Sequence, residues 1–220
     1  MNDVILYHGS RGGLDGDIRA ESRQRCDFGC GFYMGTNKDQ AAGLVIEDPS
    51  PVLYKLKFRL SEIDEAKVLR LSGEDWLYTV LANRDRVHSI SRSAIGQEAR
   101  ARTEGYDVII GPIADDRMNE AIKQFEQNRI TDSVLIACLS SIDYGEQYVV
   151  KSQDVCKKIE ILDERDLYGK EADIIRDYTQ GMRKNSYDVV DRMARLHRRE
   201  GKYLDEIVSE KLKGRDKHGR

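Results

Sequence analysis

The sequence predicts an α+β protein, and three observations carry that assignment. Short apolar and β-branched runs at 4–8, 32–36, 52–58, 106–110, 147–151 and 159–162 read as strands. They mix irregularly with helical patterns rather than forming regular strand-helix-strand units. No Gly-x-Gly-x-x-Gly follows a strand and there is no Walker loop, so a Rossmann sheet and a P-loop fold are both disfavoured. From about Asp163 only helical patterns remain, rich in Arg and Lys. One domain over 1–163 with a helical extension over 164–220 is the expected organisation.

The elements follow in order. Val4, Ile5 and Leu6 suit a buried strand that ends at His8, and Gly12-Gly13 and Asp15-Gly16 mark the loop after it. Phe32 opens a second strand, and Thr36 or Asn37 caps a helix that runs to about Ile46 before Pro49 and Pro51. The 52–58 run alternates as a half-buried strand should. Ser72 caps a helix to Asn83, with Trp76, Leu77, Val80 and Leu81 at core spacing. The 106–110 strand stops at Gly111-Pro112, and Asp115-Asp116 suits the positive end of a helix through Met118, Ala121, Ile122 and Phe125. A helix over 133–140, a turn at Asp143-Tyr144-Gly145 and two more strands complete the domain.

At 220 residues, 40% hydrophobic and 34% charged, the chain is long enough for a substantial core and too apolar for a disordered one. With 36 Lys+Arg against 39 Asp+Glu, the net charge of −3 exerts no global pull toward nucleic acid or membrane. Cys26, Cys30, Cys138 and Cys156 lack the spacing of a zinc knuckle and read as free thiols, so no metal is expected. The N-terminus has no basic and apolar leader, and no window approaches the roughly 20 apolar residues of a membrane helix. A reduced, cytoplasmic protein is expected.

The chemistry concentrates in two phrases. Leu6-Tyr7-His8-Gly9-Ser10 places an imidazole at a strand end beside a backbone without a Cβ, against which a flat amide can lie. Asp27-Phe28-Gly29-Cys30-Gly31-Phe32-Tyr33 adds aromatic rings that can cover the other face of such a ring. Alternation sends Phe32 and Tyr33 to opposite faces, so only one faces a ligand. Tyr33 is assigned that place, with Phe32 as its packing neighbour.

With these phrases, Tyr106-Asp107-Val108-Ile109-Ile110-Gly111-Pro112-Ile113-Ala114-Asp115-Asp116 and Gln147-Tyr148-Val149-Val150, the chain resembles the ADP-ribosyltransferase superfamily. The likeness is to its His-Tyr-Glu branch, which includes diphtheria toxin and the poly-ADP-ribose polymerases, and most of all to an uncharacterised bacterial family within it. It covers residues 4 to about 162. The resemblance implies a split, mostly antiparallel sheet that binds NAD. It also implies that His8 holds a ribose hydroxyl, that the Gly9 backbone grips the carboxamide, that Tyr33 stacks on the nicotinamide with Phe32 packed beside it, and that Ser10 belongs to the same binding site.

The third position of that triad departs from the pattern, because Gln147 stands where the family has glutamate, with Glu146 one residue earlier. A carboxylate there stabilises the cation formed as nicotinamide leaves, and an amide does so far less. Three explanations stay open: a His8-Tyr33-Gln147 site in which another acid or the second substrate supplies the charge, a bulge that turns Glu146 inward, or a chain that only binds NAD or ADP-ribose. The first is the expectation.

The function expected from the resemblance is mono-ADP-ribosyl transfer from NAD to a macromolecular acceptor, protein or nucleic acid. A bacterial toxin of a toxin–antitoxin or phage-defence pair fits, with an antitoxin at the C-terminal helices. The rival readings are a catalytically inactive NAD or ADP-ribose sensor and a protein or nucleic-acid interaction module. Asn83-Arg84 is a further candidate, for a pyrophosphate. Arg192, Arg195, Arg198 and Arg199 read either as a solvated helix face or as a contact surface for a partner.

Overall fold

The computed structural model describes residues 1–23, 25–84, 92–113, 118–141, 145–184 and 186–216. The expected helix start at Asp115-Asp116, and Asp143 and Tyr144 of the expected turn, lie outside the described residues. The chain divides into two compact units that interleave in sequence: 1–71, 103–113 and 144–181 form one, and 72–102, 114–143 and 182–220 the other. The division therefore does not follow a single cut at 163, and α7 (Gly169–Lys184) belongs to the first unit as far as Gly181.

The first unit contains a seven-stranded sheet of β1 (Val4–Ser10), β2 (Phe32–Gly35), β3 (Val52–Phe58), β4 (Val68–Arg70), β5 (Val108–Pro112), β6 (Glu146–Val150) and β7 (Ile159–Asp166). Its order is β4-β5-β6-β2-β1-β3-β7, and every neighbouring pair is antiparallel except β4 and β5. The α+β class and the mostly antiparallel sheet expected from the sequence are what the structure has. β1 pairs with β3 at seven consecutive positions, from Val4–Phe58 to Ser10–Val52, but meets β2 at one ladder position, Tyr7–Gly35. The sheet is thus two half-sheets, β4-β5-β6-β2 and β1-β3-β7, that part beyond that residue pair.

Each face of this sheet has its own apolar layer. On one, Leu6, Phe32, Met34, Tyr54, Leu56, Tyr148 and Val150 pack with Ile18 and with Val155 and Cys156 of the short helix α6 (Gln153–Cys156). On the other, Leu53 packs with Ala41 and Ala42 of α1 (Lys38–Gly43) and with Ala172 and Ile175 of α7. Since β3 is buried on both faces, with only Lys55 exposed, the expected half-buried strand is a central one. Asn37 rather than Thr36 caps α1, accepting from the Asp39 and Gln40 backbone N–H groups, and the helix ends at Gly43, short of Ile46.

β4 was not legible: three residues forming the sheet's only parallel pair carry no periodic signal. β7 continues past Leu162 to Asp166 because a bulge, where partners jump from Lys55–Asp163 to Leu56–Ile161, lets the strand absorb an extra residue.

The second unit is helical, with α2 (Gly73–Arg84), α3 (Ala94–Thr103), α4 (Met118–Glu126), α5 (Asp132–Ser140), α8 (Ser186–Leu196) and α9 (Leu204–Asp216). Seven consecutive residues of α2, Trp76 to Ala82, are buried, so this helix is enclosed rather than one-sided. Thr131 caps α5 through Val134 N–H. α8 ends at Leu196, so Arg198 and Arg199 lie beyond it and the four arginines do not form one helix face as expected. Among the described residues no helix is long and apolar enough to cross a membrane.

Gly9 is the tightest point between β1 and α1, because a Cβ there would run into the Ala41 carbonyl oxygen and sit 3.0 Å from Val45 Cγ2. Backbone cannot swing aside as a side-chain tip can, so Gly9→Ala is expected to cost about 1–3 kcal/mol by overpacking. Chemical denaturation of the variant beside the parent checks this.

Candidate functional site

β2 is the strand around which the predicted residues gather. His8 reaches it from β1, and its Nδ1 lies 2.7 Å from the Tyr33 carbonyl oxygen. A carbonyl only accepts, so Nδ1 carries the proton and Nε2 is left as the acceptor. Among the described residues Nε2 has no hydrogen-bond partner. The ring sits between Phe32, at 4.5 Å between centroids, and Tyr54, at 6.4 Å. Burial holds its pKa below the ordinary histidine value, against the opposing pull of the bond to Tyr33, so the ring is neutral near pH 7.

Tyr33 points to the other face. Its hydroxyl accepts from Phe28 N–H at 2.9 Å and donates to the Gly29 carbonyl at 2.7 Å, which pins the loop before β2. Lys151, at the end of β6, donates to the Phe28 carbonyl from the same loop at 3.1 Å, and burial lowers its pKa. Gly29 turns this loop at φ +80, where a side chain would strain the backbone. Gly31 leaves it against β6, where a Cβ would meet Val149 Cγ1 at 2.7 Å.

Gln147 shares that face, since its ladder partner is Gly35, two residues from Tyr33 along β2. Its side chain is 7% exposed. Nε2 donates to Asp27 Oδ2 at 2.8 Å and to the Pro112 carbonyl at 3.0 Å. Both partners are acceptors, which settles the orientation of the amide: the nitrogen faces Asp27 and Pro112, and Oε1 faces away. Among the described residues Oε1 accepts no hydrogen bond. A nearly buried acceptor without a donor is costly to keep, by about 1–3 kcal/mol.

The sequence-predicted triad is therefore not gathered on one side of the sheet. Tyr33 and Gln147 share one face; His8 and Phe32 share the other, and His8 meets Tyr33 at its carbonyl. The bulge that would turn Glu146 inward is absent, because β6 keeps continuous register with both β2 and β5. Glu146 lies exposed opposite Pro112, on the face away from Gln147, where it accepts from the Tyr148 hydroxyl at 3.3 Å and pairs with Arg70 at 3.5 Å. The inward turn expected of Glu146 is therefore corrected: strand alternation places it on the face of His8 and Phe32, away from Gln147 and Tyr33.

At Gly9 the side on which a Cβ would stand is filled by the Ala41 carbonyl. Ser10 donates to the Gly13 carbonyl at 2.7 Å and shapes the turn after β1. Asn83 bonds back to the Thr79 carbonyl within α2.

Asp27 is the residue that sequence reasoning missed. It is 6% exposed and belongs to a phrase quoted for its glycines and aromatics. No local signal marked it, since its burial depends on strands distant in sequence; once buried, a carboxylate must find donors. Among the described residues no group of three or more His, Cys, Asp or Glu side chains is placed to hold a metal ion.

Two outcomes follow from these bonds. Tyr33→Phe leaves the Phe28 amide without its acceptor and is expected to cost about 1–3 kcal/mol, with faster hydrogen exchange confined to the 26–31 loop. The depressed pKa of His8 has a defined sign. As pH falls below about 6.5, the unfolded chain binds a proton that the folded ring resists, so stability declines through that window and levels off below the folded value. Denaturation midpoints between about pH 7 and pH 5 should fall for the parent and fall less for His8→Gln.

A family model described as "Protein of unknown function (DUF3990)" matches residues 4–161. No curated protein and no solved structure matches the chain.

Proposed function

The chain belongs to that family of unknown function, and we propose that it binds NAD at the parted strands β1 and β2 and transfers a single ADP-ribose to a macromolecular acceptor. The observation that carries this reading is the pair of acceptors beside β2. Among the described residues, His8 Nε2 and Gln147 Oε1 each have no donor, while a bond fixes the opposite atom on a main-chain carbonyl, Tyr33 O and Pro112 O. Such acceptors call for a ligand that brings hydroxyl donors, and the riboses of a dinucleotide bring them. The parting of the half-sheets supports the same reading, as does the resemblance of the His8, Tyr33 and Gln147 phrases to the ADP-ribosyltransferase superfamily.

The reaction breaks the bond between nicotinamide and ribose, with the bonding electron pair leaving on the nicotinamide nitrogen. A nucleophile of the acceptor, an amine or hydroxyl, then bonds to the ribose carbon and releases its proton. His8 accepts from a ribose hydroxyl of the dinucleotide on its face of the sheet and Gln147 from one on the opposite face, where the ring of Tyr33 lies against the departing base. Transfer of one unit rather than a chain is the expectation, because position 147, where a glutamate would prime a second ribose, holds glutamine.

Within this proposal the protein acts inside a bacterial cell as the toxin of a toxin–antitoxin or phage-defence pair. The helices α8 and α9 are then the place for the neutralising partner, α8 presenting exposed Arg192, Arg195 and Leu196.

Nicotinamide release from NAD by the purified protein, with cell extract as a source of acceptors, tests the reading. His8→Ala and Gln147→Ala are each expected to lower the rate by at least about 10²-fold, while Glu146→Ala leaves it within a few-fold. Release that is equal in all variants, or absent from the parent, sinks the transferase. NAD binding that is lost in His8→Ala, without release in the parent, leaves a sensor.

A further inference from the structure

On the transferase reading, we propose that Asp27 supplies the negative charge missing at position 147, acting through Gln147 as a positioning residue. The two side chains form one buried unit. Asp27 is 6% and Gln147 7% exposed, and Gln147 Nε2 donates to Asp27 Oδ2 at 2.8 Å. The pair holds one carboxylate and one amide, which is the same chemical content as a glutamate steadied by an asparagine, with the two groups exchanged.

The carboxylate does two things to the amide. It fixes which atom faces outward: with nitrogen drawn to Asp27 and to the Pro112 carbonyl, the oxygen is the atom presented to a ligand. It also polarises the amide, because a negative charge on the N–H side pushes electron density onto Oε1, and hydrogen bonds in series strengthen one another. Oε1 then accepts from a ribose hydroxyl more strongly than an isolated amide would.

As the bond from ribose to the pyridinium nitrogen breaks, its electron pair leaves with neutral nicotinamide and positive charge develops on the sugar. The Asp27 charge lies one hydrogen bond behind Oε1 and stabilises that cation, and the acceptor's nucleophile closes the step by bonding to the sugar and losing a proton.

The loop that carries Asp27 is built to hold it there. Tyr33, Lys151 and Gln147 each bind a different residue or atom of 27–29, so the carboxylate is fixed from β2 and β6 at once.

The test compares nicotinamide release and NAD binding in the parent, Asp27→Asn, Gln147→Glu and the double exchange Asp27→Asn with Gln147→Glu. Asparagine keeps an acceptor for Gln147 and removes the charge, so the expected result is a loss of about 10²-fold in kcat with KM within a few-fold. The double exchange restores one carboxylate to the pair and is expected to recover most of the rate. Gln147→Glu alone puts two carboxylates in contact, which share a proton, and is expected to give no gain over the parent and a rate that varies with pH.

A parent-like rate in Asp27→Asn, or a rise in Gln147→Glu, overturns the proposal while leaving the transferase intact. So does a double exchange that binds NAD normally and stays inactive. A parent that binds NAD without releasing nicotinamide overturns the transferase reading itself.

Discussion

The single ladder position between β1 and β2 is the constraint from which the rest of the site follows. A strand in the middle of a sheet must satisfy its main-chain groups on both sides, and β2 has full pairing only toward β6. At Tyr33 the carbonyl is met by the His8 ring instead of by a neighbouring strand. A side chain thus does the work of a ladder bond, and this fixes which of its nitrogens holds the proton. The same substitution opens the sheet at the place where His8 keeps its second nitrogen as an acceptor. Burial and the carbonyl act against each other on the ring's pKa, and burial prevails, so the imidazole accepts rather than donates near neutral pH.

The loop over 26–31 is the second level of the same design. It carries an acid into an almost dry place, where an unpaired charge would be costly, and it does so because the strands beneath it offer donors: the Gln147 amide to Asp27 and Lys151 to the Phe28 carbonyl. Tyr33 adds a hydroxyl that both gives and takes. The glycines are placed where a side chain is impossible, one by backbone sign at Gly29 and one by crowding at Gly31. The phrase Asp-Phe-Gly-x-Gly-Phe-Tyr is therefore one folded object, in which the final tyrosine holds the loop that precedes it.

How much of this was legible depended on the range of each interaction. The longer strands and α2 could be read because their apolar residues repeat over several positions, and α1 because Asn37 caps it locally. β4 could not, since three residues hold their place only through β5, about forty residues away in sequence. The position of Phe32 opposite in face to Tyr33 followed from alternation alone, and the structure keeps it. What alternation within one strand could not give was the relation between strands: that His8 shares its face with Phe32, and Gln147 with Tyr33, depends on register across β1, β2 and β6. The same limit hid Asp27, whose partner lies 120 residues away. Glu146 could join Gln147 and Tyr33 only through a bulge, and the unbroken register of β6 keeps it on the opposite face.

A glutamine at position 147 is then not simply a weakened glutamate. Two buried carboxylates at the Asp27–Gln147 separation cannot both stay ionised, so a glutamate at 147 would take up a proton with Asp27 and carry no more charge than the present pair. What changes is where the charge sits. On the proposed reading, moving it from about 4 Å to about 7 Å from the developing cation lowers the attraction from about 4 to about 2.4 kcal/mol at an effective dielectric of 20. The remaining attraction is still worth more than tenfold in rate. The arrangement keeps most of the electrostatic benefit while the atom that meets the sugar is a neutral oxygen, whose orientation is fixed by the bonds of the amide nitrogen to Asp27 and Pro112.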